Sequence, residues 1–197
     1  MPAAAAEKVT IVAFGDSLTQ GYGLAEADGF VPQLQAWLAA NGAPDVVLVN
    51  AGVSGDTTAG GLARIDWTLG EDVDGVIVAL GGNDLLRGLF PEDSRANLDG
   101  ILAAVTGRGL PVMLVGLPAP KNYGPEFEAA FAAMYPELAE KYGAVFYANF
   151  LAGISKGGLP DLALMQADAT HPGAEGVARI VADMGPKVLE LVARARQ

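Results

Sequence analysis

Short, continuous apolar runs alternate along this chain with longer segments whose apolar residues recur every three or four positions. The runs are VTIVAFG (9–15), VVLVNA (46–51), GVIVALG (75–81), PVMLVGL (111–117) and AVFYANF (144–150). They do not alternate polar with apolar residues, which predicts strands buried on both faces of a parallel sheet. Amphipathic helices are predicted at 28–41, 58–69, 94–107, 124–142 and 174–195. In the last of these, Val177, Ile180, Val181, Met184, Val188, Leu191 and Val192 form one apolar stripe. Asn41-Gly42, Leu69-Gly70, Arg108-Gly109 and Tyr142-Gly143 read as helix C-terminal stops.

Strand and helix patterns in alternation predict an open, doubly wound α/β domain. No internal repeat or low-complexity linker divides the chain, so residues 9–197 read as one domain behind a short lead, 1–8. The one long irregular stretch is 151–172, and loops of that length are often functional. In open α/β sheets ligands bind beyond the carboxyl ends of the strands. The segments that follow each run are therefore the places to look for chemistry. They are Gly15-Asp16-Ser17, NAGVSGDT (50–57), GGND (81–84), LPAPKNYG (117–124) and DATHPGAEG (168–176).

Composition narrows the class of partner. The 197 residues include 12 Lys and Arg against 23 Asp and Glu, a formal charge of -11. That balance argues against nucleic acid or an anionic membrane as the main partner. No apolar run approaches the ~20 residues of a membrane span, so no stable membrane insertion is expected. The absence of cysteine excludes disulfides, thiolate zinc sites and a cysteine nucleophile. The Ala-rich start, MPAAAAEKVT, is expected to be a mature terminus of a periplasmic or secreted protein, with a cytoplasmic terminus as the alternative. A monomer or weak oligomer is expected.

His171 is the chain's one histidine, and Asp168 precedes it by three residues, close enough to orient its ring. The plainer reading of His171 is a solvated residue at a helix start, with Pro172 as the first helical residue. One His, no Cys and Asp16, Asp56, Asp84 and Asp168 scattered near strand ends make a poor metal set, and no metal is expected. Ser17 is a nucleophile, a turn serine, or part of a loop that cradles phosphate; the last lacks a P-loop lysine and a G-x-G-x-x-G. The surroundings of Ser17 are also unlike the G-x-S-x-G elbow. Asp16 neighbours Ser17 on an extended segment, so its side chain points elsewhere, and it reads as holding turn amides. Asn83 offers an amide donor at a strand end, and Gly55 is either a left-handed turn residue or an amide aimed into the cleft. Together these supply a nucleophile, a base, an orienting acid and anion donors, the set that acyl transfer requires.

Gly15-Asp16-Ser17-Leu18, Gly55 in SGDT, Asn83 in GGND, and Asp168 and His171 in DATHP resemble the four blocks of the SGNH (GDSL) hydrolases. LGGNDLLRGL (80–89), LPAPKNYGPEF (117–127) and FAAMYPELAEKYG (131–143) carry a closer resemblance to the bacterial thioesterase I/arylesterase/lysophospholipase L1 group. The resemblance implies a flavodoxin-like, three-layer α/β/α fold with a five-stranded parallel sheet in the order 2-1-3-4-5. It implies Ser17 as nucleophile, His171 as base and Asp168 as orienting acid, with Ser17, Gly55 and Asn83 forming the oxyanion hole. It implies no cofactor, and an ester or thioester substrate with an apolar acyl or aryl group, such as an aryl ester, an acyl thioester or a lysophospholipid. Leu85, Leu86, Pro118, Tyr123 and Met165, with Leu117, Leu162 and Leu164, are expected to wall an acyl groove. Two alternatives remain at this point: a carbohydrate O-acetyl esterase of the same family, and a non-catalytic flavodoxin-type ligand-binding domain.

Overall fold

The computed structural model describes residues 8–119 and 121–197. The expected lead, apart from Lys8, lies outside the described residues. In chain order the elements are β1 (Val9–Gly15), α1 (Ser17–Gln20), α2 (Phe30–Ala40), β2 (Val46–Gly52), α3 (Thr58–Thr68), β3 (Gly75–Ala79), α4 (Gly82–Leu86), α5 (Pro91–Thr106), β4 (Val112–Val115), α6 (Pro125–Tyr142) and β5 (Val145–Tyr147). A two-residue hairpin follows, β6 (Ser155–Lys156) with β7 (Leu159–Pro160), and α7 (Ala174–Ala195) closes the chain. The main sheet is parallel in the order β2-β1-β3-β4-β5.

Alternation along each strand builds a core on either face of the sheet. Ile11 and Ala13 of β1 and Ile77 of β3 join Leu34 and Leu38 of α2 and Val181, Met184 and Val188 of α7. Val12, Phe14, Val76 and Val78 point the other way, onto Ile65 of α3, Leu98 and Ile101 of α5, and Phe131 and Leu138 of α6. The result is the expected three-layer arrangement. It brings the carboxyl ends of β1, β2 and β3 together, because Gly15 pairs with both Gly52 and Ala79.

Two expectations need correction. β2 is not buried on both faces: Val47 and Val49 are 39% and 43% exposed. β2 is an edge strand, and α3 packs over its inner neighbours instead. The backbone along its free edge is partly satisfied by Gln35, which donates to Val46 O (2.7 Å) and accepts from Leu48 N (2.8 Å), blunting the edge as a template for further strands. Nor is 151–172 structureless. It contains the β6–β7 hairpin, 3-10 turns at Ala152–Ile154 and Leu162–Leu164, and a bridge between Met165 and Pro172. Pro172 is held in that bridge, and α7 begins later, at Ala174.

Candidate active site

Ser17 opens α1 directly beyond β1. Asp16 caps this short helix, its Oδ1 accepting from Leu18 N at 3.0 Å, so the chain turns sharply and Ser17 faces the carboxyl edge of the sheet. Gly15 has no room for a side chain: a Cβ there would lie 2.1 Å from Thr19 Oγ1 and 2.8 Å from Ala79 O.

His171 reaches Ser17 from the other end of the sequence. Its Nε2 lies 2.8 Å from Ser17 Oγ, and its Nδ1 lies 2.6 Å from Asp168 Oδ2. A carboxylate at Nδ1 places the proton on that nitrogen, which leaves the Nε2 lone pair to accept from the serine hydroxyl. Asp168 is itself held by its own loop, its Oδ1 accepting from Thr170 N and His171 N at 3.0 Å each. The His171 amide first, then the His171 ring and the Thr170 amide, hold the Asp168 carboxyl far below the usual carboxylate range. This tight turn forces Ala169 to φ 54°, a left-handed conformation that a residue with a Cβ adopts at a cost. Tyr22 packs on the imidazole with ring centroids 4.8 Å apart. Gln166 ties the histidine loop to the segment after α1: its amide N donates to His171 O (2.7 Å), and its Nε2 donates to Tyr22 O (2.8 Å) and Pro172 O (3.1 Å).

Gly55 and Asn83 line the same cavity as Ser17 and His171. Gly55 has φ 82°, the left-handed turn conformation, and that turn borders the cavity. Asn83 sits in α4, its Nδ2 donating to Asp56 O at 2.9 Å and to Asp16 Oδ2 at 3.3 Å. The turn before it depends on Gly81, at φ 118°, where a Cβ would fall 2.2 Å from the buried Tyr135 hydroxyl. Asp84 faces away from the cavity and binds the loops together, accepting from Thr58 N (2.9 Å), Thr58 Oγ1 and Ser94 Oγ (3.1 Å). An imidazole oriented by a carboxylate and facing a serine hydroxyl is suited to general-base activation of that hydroxyl for attack on a carbonyl.

The cavity holds about 420 Å³, and its apolar wall is formed by Leu18, Tyr22, Leu85, Leu86, Leu117 and Leu151. Leu85, Leu86 and Leu117 are where the sequence predicts them. Pro118, Tyr123 and Met165 are not on the wall. Pro118 is exposed beyond it. Tyr123 stacks on Phe127 and donates its hydroxyl to Leu85 O (2.9 Å), so it supports the turn that carries the leucines. Met165 is drawn into the bridge with Pro172 and packs on the core, as does the buried Leu164, while Leu162 is 66% exposed. Leu18, Tyr22 and Leu151, unforeseen as wall residues, take their places. For Tyr22 the available signal was its position five residues after Ser17, on the segment that leaves the same strand end.

The sequence and the fold have counterparts among known proteins. The profile of the GDSL-like lipase/acylhydrolase family matches residues 13–179. The chain belongs to this family. Esterase TesA of Pseudomonas aeruginosa is 37% identical over 184 residues, covering 93% of this chain and 89% of that protein. Thioesterase 1/protease 1/lysophospholipase L1 of Escherichia coli K12 is 33% identical over 192 residues, covering 96% and 87%. Among solved structures, the SGNH-hydrolase family esterase AlinE4 superposes with a TM-score of 0.77 at 41% identity, covering 94% of this chain and 97% of that one. Family and relatives make this chain a carboxylic ester hydrolase acting on small-molecule esters. Among the described residues no helix is long and apolar enough to cross a membrane.

Proposed function

We propose that the chain hydrolyses esters and thioesters of apolar acyl or aryl groups through an acyl-enzyme on Ser17. The observation that carries this reading is the relay from Asp168 through His171 to Ser17 Oγ, opening into a cavity walled by leucines. His171 Nε2 takes the Ser17 proton as Oγ attacks the carbonyl carbon, and Asp168 stabilises the imidazolium that forms. The amides of Ser17 and Gly55 and the Asn83 side chain receive the developing oxyanion, each donor contributing ~3 kcal/mol at the transition state. The imidazolium then protonates the departing alkoxide; a thiolate leaves with less assistance. Water attacks the acyl-Ser17 carbonyl with His171 again as base, and the serine hydroxyl is regenerated.

A cavity of about 420 Å³ falls within the range of small-molecule sites and exceeds what an acetyl group alone would fill. The names of the relatives add acyl thioesters and lysophospholipids to the candidate substrates. The test is hydrolysis of p-nitrophenyl esters from acetyl to dodecanoyl by wild type and Ser17→Ala. Activity that peaks at medium or long chains and vanishes in Ser17→Ala supports the reading. A peak at acetyl transfers it to arylesterase or carbohydrate deacetylase chemistry. Equal rates in both proteins overturn the nucleophile assignment.

A further inference from the structure

Asn83 can serve an oxyanion only if its amide nitrogen, not its oxygen, faces the cavity. Two acceptors set that orientation. Nδ2 gives one proton to Asp56 O (2.9 Å), while the other makes only the longer contact to Asp16 Oδ2 (3.3 Å) and is the one an oxyanion draws away; the flipped amide would press Oδ1 against both acceptors. Asp56 also directly follows Gly55, whose amide is the neighbouring donor. The Gly55–Asp56 segment thus supplies one donor and aims another.

Arg64 grips that segment from α3. Its Nε donates to Asp56 Oδ2 at 2.8 Å, and its Nη2 donates to Gly15 O at 3.0 Å. The guanidinium also lies over the buried Phe14 ring, Cζ 3.9 Å from the centroid. One planar cation therefore joins the end of β1, which leads into Ser17, to the residue that aims Asn83. The Asp56 side chain is 11% exposed and that of Arg64 23%, so the pair is largely shielded from water. Gly60 accommodates the arrangement: a Cβ there would sit 1.9 Å from Asp56 Oδ1. Arg64 itself does not line the cavity.

We infer that Arg64 is a positioning residue for the oxyanion hole. It fixes the Gly55–Asp56 segment relative to Ser17 and, through Asp56 O, keeps the Asn83 amide nitrogen turned toward the reacting carbonyl. The inference rests on the acyl-Ser17 reading above. Lysine cannot substitute, because a point charge on a flexible stem lacks the fork that reaches Asp56 and Gly15 together while stacking on Phe14.

The experiment compares wild type, Arg64→Lys and Arg64→Ala on one p-nitrophenyl ester, with thermal unfolding of each. Arg64→Lys retains the charge and loses the fork. Its expected kcat falls by ~10- to 100-fold, a part of the loss seen when an oxyanion donor is removed, with KM within about threefold of wild type. Methylguanidinium added to Arg64→Ala should restore kcat at least severalfold. Wild-type kcat in Arg64→Lys overturns the inference. So does a loss confined to KM, absence of rescue by methylguanidinium, or failure of both variants to fold, which would make Arg64 a stability residue. Ser17→Ala in parallel separates the two readings: if it remains active the acyl-Ser17 reading fails, whereas an inactive Ser17→Ala beside a fully active Arg64→Lys removes only the role of Arg64.

Discussion

Replacing Asp16 with asparagine should shift the stability difference from wild type in favour of the variant by an amount that grows as pH rises toward neutrality. Asp16 is 3% exposed, between the nucleophile and the Asn83 amide. Burial pushes its carboxyl up from the ordinary 3.8 to about 6, against the opposing effects of the Leu18 amide, His171 and Asn83. A pKa raised by folding means that the native state holds the proton more tightly than the unfolded chain. The associated stability is complete below pH 3.8 and is lost as pH rises through about 6. At ~1.4 kcal/mol for each pH unit, the loss amounts to ~3 kcal/mol in all, of which ~2 kcal/mol develops between pH 4 and 8.

The asparagine side chain of Asp16→Asn does not titrate. Its Oδ1 still accepts from Leu18 N, while its NH₂ meets the NH₂ of Asn83, a penalty that does not depend on pH. Urea unfolding of wild type and Asp16→Asn across pH 4 to 8 isolates the titrating part. The difference in unfolding free energy should shift by ~2 kcal/mol in favour of the variant as pH rises. Groups that do not interact with Asp16 cancel; His171, which does, is taken out of the comparison by recording both curves in a His171→Gln background. Asp168, whose pKa is lowered by folding, loses its contribution only as pH falls below the ordinary 3.8, outside the window. Two curves separated by a constant offset would refute the argument, because they would show Asp16 with the same proton affinity folded and unfolded.

Three further outcomes are expected. Asn83→Ala should lower kcat by ~100-fold or more with little change in Tm, measured on a p-nitrophenyl ester; turnover near wild type would remove Asn83 from the mechanism. Ala169→Gly relieves the left-handed strain at φ 54° and should raise unfolding free energy by about 0.5 kcal/mol, whereas β-branched Ala169→Val should lower it by ~1 kcal/mol or more; the opposite order in urea titrations would contradict the strain. Leu86, which lines the cavity yet is 65% exposed, should affect long acyl chains more than short ones, so Leu86→Ala should shift the ester-length profile toward shorter chains; an unchanged profile would place the groove elsewhere.

Much of the fold was legible because a doubly wound sheet imposes its own period on the chain. Inner strands covered on both sides must be apolar throughout, as Val76, Ile77 and Val78 are, and the helices between them carry a stripe toward the sheet. The topology then brings the carboxyl ends together, which is why Ser17, Gly55, Asn83, Asp168 and His171 could be picked from separate segments. The apolar run 46–51 could not disclose its exposure. Edge and inner strands use the same residues, and only sheet order makes β2 an edge.

The amino-acid sequence by itself determined the layer order and the chemically reactive side chains, since both follow from local pattern and from where each run ends. Tertiary structure alone decided the wall of the cavity and the bracing of the oxyanion donors. Side-chain direction in loops has no period; Met165 turns inward because it bridges Pro172, and Tyr123 stands behind the leucines because its hydroxyl meets Leu85 O. Arg64 lies on an amphipathic helix without distinguishing pattern, and it acquires meaning only when folding carries its guanidinium to Gly15 O, 49 residues away in sequence. Such contacts join positions whose local sequences are independent of each other, so only packing in three dimensions selects them.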